Sequence, residues 1–194
     1  MADNGRFLSC DPLSPMNRVV HVCVMLAVTM VLAACSPRYD WREVHDKDGA
    51  YAATYPAKPT QDARDVKFAS GTLPMRMQAA RVDAALFAVG VVTLPSDDAT
   101  LRQTVLTELQ HGLLANVNEG AATPVQVMVR QAGDAPALPG LAVSAKGMAS
   151  DKTERYVAAR FVGRGTHVYQ VVVLATKAPA KEQVDQFLDS FTLE

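Results

Sequence analysis

The sequence predicts an α+β domain in which a mostly antiparallel β-sheet is packed by two main helices. Short apolar segments, alternating or continuous, are separated by turn residues, a pattern typical of strands. Two segments instead repeat apolar residues every three or four positions, one from Leu101 and one from Val184, which indicates amphipathic helices. The order is strands, helix, strands, helix, and its hairpin-like connections favour antiparallel pairing.

The first part of the domain is predicted to be strands joined by turns. A short strand at 41–44 and another at 50–55 flank the segment HDKDG at 45–49, in which Asp-Gly is the strongest turn signal. Pro56 and Pro59 end the second strand and favour extended chain. Further strands are expected at 65–69, 75–82 and 86–94. The last of these is a nearly continuous apolar run, which suits a central strand.

The first helix is predicted from apolar residues that recur every fourth position between 101 and 117. This spacing gives the helix one face toward the core. Ser96, Asp97 or Asp98 can cap its start, and the segment Asn-Glu-Gly at 118–120 can close it.

Strands return in the second half of the domain. Pro136, Pro139 and Gly140 mark a loop, and the Gly-Arg-Gly segment at 163–165 marks a tight turn. Strands are expected at 125–131, 141–148, 155–162 and 167–175.

The second helix is predicted close to the C-terminus. Pro179 suits its first turn. Four apolar residues at helical spacing place one face on the core: Val184, Phe187, Leu188 and Phe191.

Composition limits the classes of partner. The chain has 194 residues, 19 Lys plus Arg and 20 Asp plus Glu, which gives a net charge of -1. This balance argues against nucleic acid, because a phosphate-binding surface normally shows a basic excess. No cofactor motif is recognisable, and the expected cofactor set is empty.

The N-terminal part contains a leader. Arg18 precedes an apolar run at 19–32 (VVHVCVMLAVTMVL), as in a secretory signal. A helix that spans a bilayer needs about 20 apolar residues, so this run is short for a permanent anchor. Ala33 and Ala34 then precede Cys35.

The segment Leu-Ala-Ala-Cys at 32–35 resembles the lipobox of bacterial lipoproteins. The resemblance implies that the Cys35 thiol receives a diacylglycerol, that the signal is cut before Cys35, and that the new amino group is acylated. Two or more acyl chains anchor a protein stably, so no transmembrane helix is needed. The alternative is an incidental cysteine at the end of an ordinary signal.

The lipobox resemblance determines the predicted division of the chain into parts. Residues 1–15 are untypical of a signal, and translation is expected to begin at Met16. In enteric-type lipoproteins an Asp after the lipidated cysteine favours the inner membrane, so Ser36 implies the periplasmic face of the outer membrane. The predicted parts are a signal sequence at 1–34, a lipidated cysteine with a short tether at 35–38, and one globular domain at 39–194.

A second resemblance concerns the domain. The segment YPAKPT at 55–60, after a strand and an Asp-Gly turn, and FLDSF at 187–191 resemble small secreted bacterial proteins of unknown function. Their layout is similar to the PsbP-like α/β/α sandwich, which would cover 39–194. That fold serves binding and assembly in the photosystem II extrinsic subunit and a nuclear Ran-binding factor. Because fold does not fix function, the resemblance transfers no site residue to this chain.

Catalytic motifs are absent from the sequence. There is no Gly-x-Ser-x-Gly, His-Glu-x-x-His, Walker loop or Gly-x-Gly-x-x-Gly. Cys10 and Cys23 leave with the signal and Cys35 is acylated, so no free thiol remains for catalysis. The chain is predicted not to be an enzyme.

Three histidines follow the leader. His45 lies in an acid-rich segment, where a metal site would pair it with Asp46 or Asp48, although a solvated turn is the favoured interpretation. His111 lies off the apolar stripe and is predicted to face solvent, and His167 is predicted to start a strand. No metal site is expected.

Two further groups of residues, three arginines and four methionines, could also form a binding site. Arg155, Arg160 and Arg164 cluster near one hairpin and suit an anionic ligand, but a solvated strand face, with Arg160 toward solvent, is favoured. Four methionines can line an adaptable apolar groove, although simple core positions are the favoured interpretation: Met75, Met77, Met128 and Met148.

Three functions are compatible with these observations. The favoured hypothesis is a lipid-anchored envelope lipoprotein that acts as a non-enzymatic interaction or assembly module, with an envelope protein as partner. The alternative is a small-ligand or lipid-binding module, which requires an apolar cavity between sheet and helix. An unrecognised hydrolase would require converging catalytic side chains in a cleft.

Overall fold

The computed structural model describes residues 38–117, 122–149 and 151–194. Residues Tyr39–Glu194 form one compact unit. Its strands are β1 (Arg42–Asp46), β2 (Tyr51–Tyr55), β3 (Thr60–Phe68), β4 (Gly71–Val82), β5 (Ala85–Thr93), β6 (Val125–Gln131), β7 (Leu138–Met148), β8 (Glu154–Arg164), β9 (His167–Ala175) and β10 (Thr192–Leu193). Its helices are α1 (Ala99–Leu114), followed by a 3₁₀ turn (Ala115–Val117), and α2 (Lys181–Ser190).

The strands form one ten-stranded sheet in the order β1-β2-β10-β6-β7-β8-β9-β5-β4-β3. Neighbouring strands pair antiparallel, apart from β10 and β6, which run parallel. The described residues thus form an α+β domain with a mostly antiparallel sheet and two helices, which confirms the predicted fold class.

The centre of the sheet is buried on both faces. Along β9, Val168 and Val172 contribute to the core under α1, whereas Tyr169, Val171 and Val173 contribute to the core that contains α2. Because successive side chains of a strand point to opposite faces, the two helices cover opposite sides of the sheet. This two-sided burial explains why the segments at β5 and β9 are nearly continuous apolar runs.

The sheet is strongly curled, and its ends approach each other on the α2 side. Asp46 ends β1, yet its carboxylate accepts hydrogen bonds from Arg76 and Gln78 of β4, near the other end of the strand order. The Tyr51 and Tyr169 rings, on strands far apart in that order, lie 6.3 Å apart. The α2 side is therefore the concave face.

The β1–β2 turn shows why a glycine precedes β2. A Cβ at Gly49 would lie 2.9 Å from the Tyr51 ring, so glycine permits the close approach. The left-handed backbone conformation falls instead on Ala50, whose φ is 51°. The Asp-Gly turn signal therefore located the turn correctly, although the strained position is the next residue.

Helix α1 begins as predicted, with Asp98 as its N-cap. The Asp98 carboxylate accepts hydrogen bonds from the backbone N–H groups of Thr100 and Leu101. The helix ends at Leu114 and the 3₁₀ turn carries Val117 into the core. The predicted closing segment at 118–120 lies outside the described residues.

Several boundaries differ from the prediction, and β3 and β4 begin earlier than expected, at Thr60 and Gly71. Pro139 and Gly140, expected in a loop, lie inside β7. Proline is tolerated there because the ladder between β7 and β8 begins only at Leu141, and Gly140 is required because a Cβ would lie 2.8 Å from the Phe161 carbonyl oxygen. Pro179, expected in the first turn of α2, precedes the N-cap Ala180.

The two-residue strand β10 was not predicted. It follows α2 directly and pairs with β2 on one side and β6 on the other, so it links these strands in the sheet. The Arg164 guanidinium donates to the Glu194 backbone carbonyl beside it. This short segment therefore places the C-terminus inside the sheet.

Candidate functional site

The main candidate site is an apolar groove between α1 and the outer part of the sheet, here called the α1 groove. Helix α1 packs on β8 and β9, which leaves part of the surface of β3, β4 and β5 beside it uncovered. The volume of the groove is about 510 Å³. Its wall comes from α1 through Leu109, Gly112 and Leu113. Its floor comes from the sheet through Met75, Met77, Leu86, Ala88, Gly90, Val172 and Leu174.

Small residues create the space. Ala88 and Gly90 lie on the groove side of β5, and the Met75 methyl group lies over Gly90, where a Cβ would be only 2.3 Å from it. On the helix, Gly112 lines the groove, and a Cβ added there would meet no described atom beyond its own helix backbone within 4 Å. The opening therefore lies between a floor of short or flexible side chains and a helix turn that presents a glycine.

Four polar residues also line the groove. Gln170 interrupts the apolar run of β9, and Glu108 comes from α1. The Glu108 Oε2 atom accepts a 2.9 Å hydrogen bond from the Ala69 backbone N–H, while its Oε1 atom is buried and has no hydrogen-bond partner among the described residues. Arg64 and Lys67 come from the edge strand β3. The groove is thus apolar along its floor, with ionisable groups on both sides.

The favoured interpretation of the four methionines, simple core positions, holds only for the buried Met75 and the partly buried Met77, which also fit the groove alternative. Met75 and Met77 lie side by side on the groove floor, with Met75 7% exposed. Met128 on β6 and Met148 at the end of β7 are 62% and 52% exposed and do not line the groove. The sequence pattern therefore found two of the groove residues and wrongly added two surface residues.

A second cavity, of about 200 Å³, lies where the ends of the curled sheet meet. The buried Asp46 carboxylate accepts hydrogen bonds from the Gly49 N–H at 2.8 Å, Gln78 Nε2 at 2.8 Å and Arg76 Nη2 at 3.3 Å. Arg76 also pairs with Asp48 at 3.0 Å. The charges of Asp46, Asp48 and Arg76 are paired, and only Gln78 Oε1 is buried without a partner among the described residues of this cluster. We therefore interpret the cluster as a structural contact that joins the ends of the sheet rather than as a reactive site.

The three histidines do not converge. His45 lies on β1, with Nδ1 2.5 Å from Glu194 Oε1, and this hydrogen bond raises the pKa of the imidazole. His111 is exposed on α1, as predicted. Burial, with the nearby Arg164 and Arg76 charges, lowers the pKa of His167 at the start of β9. No three metal-binding side chains are grouped to hold an ion within the described ranges.

The three arginines of β8 also point to separate partners. Arg155 pairs with Asp151 at 2.9 Å, and Arg164 reaches the C-terminal residue. Arg160 was predicted to face solvent, but its side chain is 23% exposed and it donates to the Leu188 carbonyl and to Asp189. The prediction was wrong because the face opposite Val157 is covered by α2. These arginines form no shared anion site.

Three buried tyrosines on the concave side were not singled out from the sequence. The Tyr51 and Tyr55 hydroxyls lie 3.3 Å apart, and Tyr169 donates to the Gly49 carbonyl at 2.9 Å. Burial raises the pKa of each of these hydroxyl groups. They therefore stay protonated at neutral pH and hold β2 to β9.

The predicted lipidation site Cys35 lies outside the described residues, as do the leader and the start of the tether. Within the described ranges, neither helix has the length and hydrophobicity needed to cross a membrane.

Comparison with known proteins gives no assignment. No protein-family model matches the chain, and no curated protein shows significant similarity to it. The function therefore has to be argued from the groove itself. One sequence signal for the groove was present, because Gln170 is a polar residue in the middle of an apolar central strand. Met75 and Met77 were the other groove residues with a sequence signal, whereas Arg64 and Gly112 had no distinguishing pattern.

Proposed function

We propose that this chain is a lipid-anchored protein of the bacterial envelope whose folded domain binds an apolar or amphipathic small ligand in the α1 groove. The observation that carries the proposal is the groove between sheet and helix, which such a module requires. Its volume of about 510 Å³ lies within the range of about 300–1,000 Å³ that is usual for small-molecule sites. Its floor is apolar, as in most such sites.

The chemistry of the groove favours an alkyl group. Burying one methylene group stabilises a complex by about 0.8 kcal/mol, so a chain of several methylenes supplies useful affinity without any specific polar contact. Methionine side chains such as Met75 and Met77 adapt to ligands of different shape. The proposed role is therefore binding or carriage rather than catalysis, with no cofactor.

The test is to fill the groove from the helix. Gly112→Leu adds a side chain where a Cβ meets no described atom beyond its own helix backbone within 4 Å, and Leu is a better helix former than Gly. The full chain in membranes is labelled with a photoactivatable dodecanol, and the labelled residues are mapped by mass spectrometry. We expect labelling of the groove in the wild type and a loss of about tenfold in Gly112→Leu.

The matched control is Gly112→Ala, which changes the same residue but leaves most of the groove open. Labelling should stay within about twofold of the wild type. If Gly112→Leu is labelled at the groove as strongly as the control, ligand binding in the groove is refuted.

The proposed anchor is the lipid on Cys35, with the domain at the periplasmic face of the outer membrane. The support is the Leu-Ala-Ala-Cys segment after an apolar leader, together with Ser36. We expect metabolically supplied palmitate to label the wild type and not Cys35→Ala, and the variant to leave the outer-membrane fraction. Unchanged labelling of Cys35→Ala would remove this part of the proposal.

The proposed fold family is the PsbP-like α/β/α sandwich. The supporting observations are the helices on opposite faces of an antiparallel sheet and the position of FLDSF, which spans the end of α2.

The second candidate function is a protein-interaction or assembly module. It is favoured by the surface of β6, where Val125 and Met128 are 61% and 62% exposed. β10 pairs with β6 only at 130–131, so within the described residues no strand covers the outer edge of 125–129. If dodecanol labels no groove residue while an envelope protein crosslinks reproducibly to this edge in cells, this candidate replaces ligand binding.

A further inference from the structure

We infer that the ligand of the α1 groove is a single-chain amphiphile with an anionic carboxylate, held by Arg64 with its alkyl chain along the groove floor. This inference rests on the proposed function, because it names the ligand class of the same groove.

The size of the groove favours one alkyl chain. At about 30 Å³ for each water-sized group, a volume of about 510 Å³ holds about 17 non-hydrogen atoms. That number fits a single fatty-acid chain with its carboxylate. A phospholipid with two long chains has about three times as many non-hydrogen atoms as the groove can hold.

The guanidinium at the groove differs from most arginines of the domain. Among the residues that the structure describes, the Arg64 side chain makes no hydrogen bond or ion pair. By contrast, Arg76, Arg102 and Arg160 each pair with an aspartate. A guanidinium that borders an apolar surface without a protein partner can bind a carboxylate through two parallel N–H···O bonds.

The ladder between β3 and β4 places Arg64 at the groove floor. Arg64 lies directly opposite Met75, and Cβ atoms of such cross-strand partners are about 5 Å apart on the same face of the sheet. The carboxylate of a ligand at Arg64 therefore lies beside the first methionine of the floor. From there the alkyl chain can run along the floor toward Leu86 and Leu174.

Two acidic residues lie near this path, and Glu108 defines its direction. Glu108 binds the Ala69 N–H through Oε2, and Ala69 is five residues beyond Arg64, about 16 Å along an extended chain. Asp62 shares the face of Arg64, is exposed, and makes no ion pair with it. The carboxylate thus binds at Arg64, and the chain extends away from the end of the groove that Glu108 occupies.

The experiment compares headgroups on the same chain. The full chain in membranes is labelled with photoactivatable dodecanoate or with photoactivatable dodecanol at equal concentration, and labelling of the groove is measured by mass spectrometry. We expect dodecanoate to label the wild type about tenfold more than dodecanol. In Arg64→Gln this ratio should fall to about one, with dodecanol labelling unchanged.

The control is Arg42→Gln, which removes the same charge from a residue that does not line the groove. Its ratio should equal that of the wild type. Equal labelling by both probes in the wild type overturns the inference and leaves the proposed function standing. Stronger labelling by a two-chain phosphatidic acid also overturns it, and no groove labelling by any probe overturns both.

Discussion

Asp46 illustrates how one residue can take a role that its sequence neighbourhood does not indicate. The sequence places it in an acid-rich turn, as a candidate metal ligand beside His45. In the folded domain its carboxylate is buried and receives hydrogen bonds from Arg76 and Gln78, which lie 30 and 32 residues away. Local spacing carries no information about partners at that separation, so this role could not be predicted.

The stability of the domain should depend on Asp46 much more than on its exposed neighbour. We expect Asp46→Ala to lower the free energy of unfolding by about 2–4 kcal/mol, because it leaves Gln78 and the half-exposed Arg76 without their acceptor. Denaturant unfolding of the purified protein measures this difference.

The control for this prediction is Asp48→Ala. Asp48 also pairs with Arg76, but its side chain is 80% exposed, and exposed ion pairs contribute little. If both variants unfold at the same denaturant concentration as the wild type, the Asp46 cluster does not stabilise the contact between the ends of the sheet.

Elements were predictable where the apolar period is strong and its ends are marked. The expected limits of β6 and β9 agree with the structure, and α1 begins after one of the three expected capping residues. The predicted start of β7 was wrong because Pro and Gly are typical loop residues in sequence. Their place in a strand depends on pairing with neighbouring strands, which the sequence does not show. β10 was not predicted because two residues are too few to show a periodic pattern. Their extended conformation comes from pairing with β2 and β6.

The burial of Arg160 on β8 could not be predicted either, because it depends on where helix α2 packs. Strand alternation correctly places it opposite Val157 and Phe161. Whether that face is exposed to solvent or buried depends on where α2 packs, which is a property of the tertiary structure. Sequence alternation therefore assigns a side chain to a face but does not show what lies against that face.

At the scale of the whole molecule, the candidate site arises from incomplete coverage of the sheet. Helix α1 packs over β8 and β9, and the neighbouring surface with Met75 and Met77 becomes the groove. The methionines gave a partial prediction because alternation placed them on one strand face. The groove itself could not be predicted, since it depends on the position of the helix across a curled sheet.

Binding in the α1 groove is the central claim, and methyl NMR of the full chain labelled with ¹³C at its methionine methyl groups tests it most directly. On addition of dodecanoate, we predict shifts of the Met75 and Met77 methyl signals and no shift of those of Met128 and Met148. Unchanged Met75 and Met77 signals, or shifts confined to the exposed Met128 and Met148, would contradict the claim.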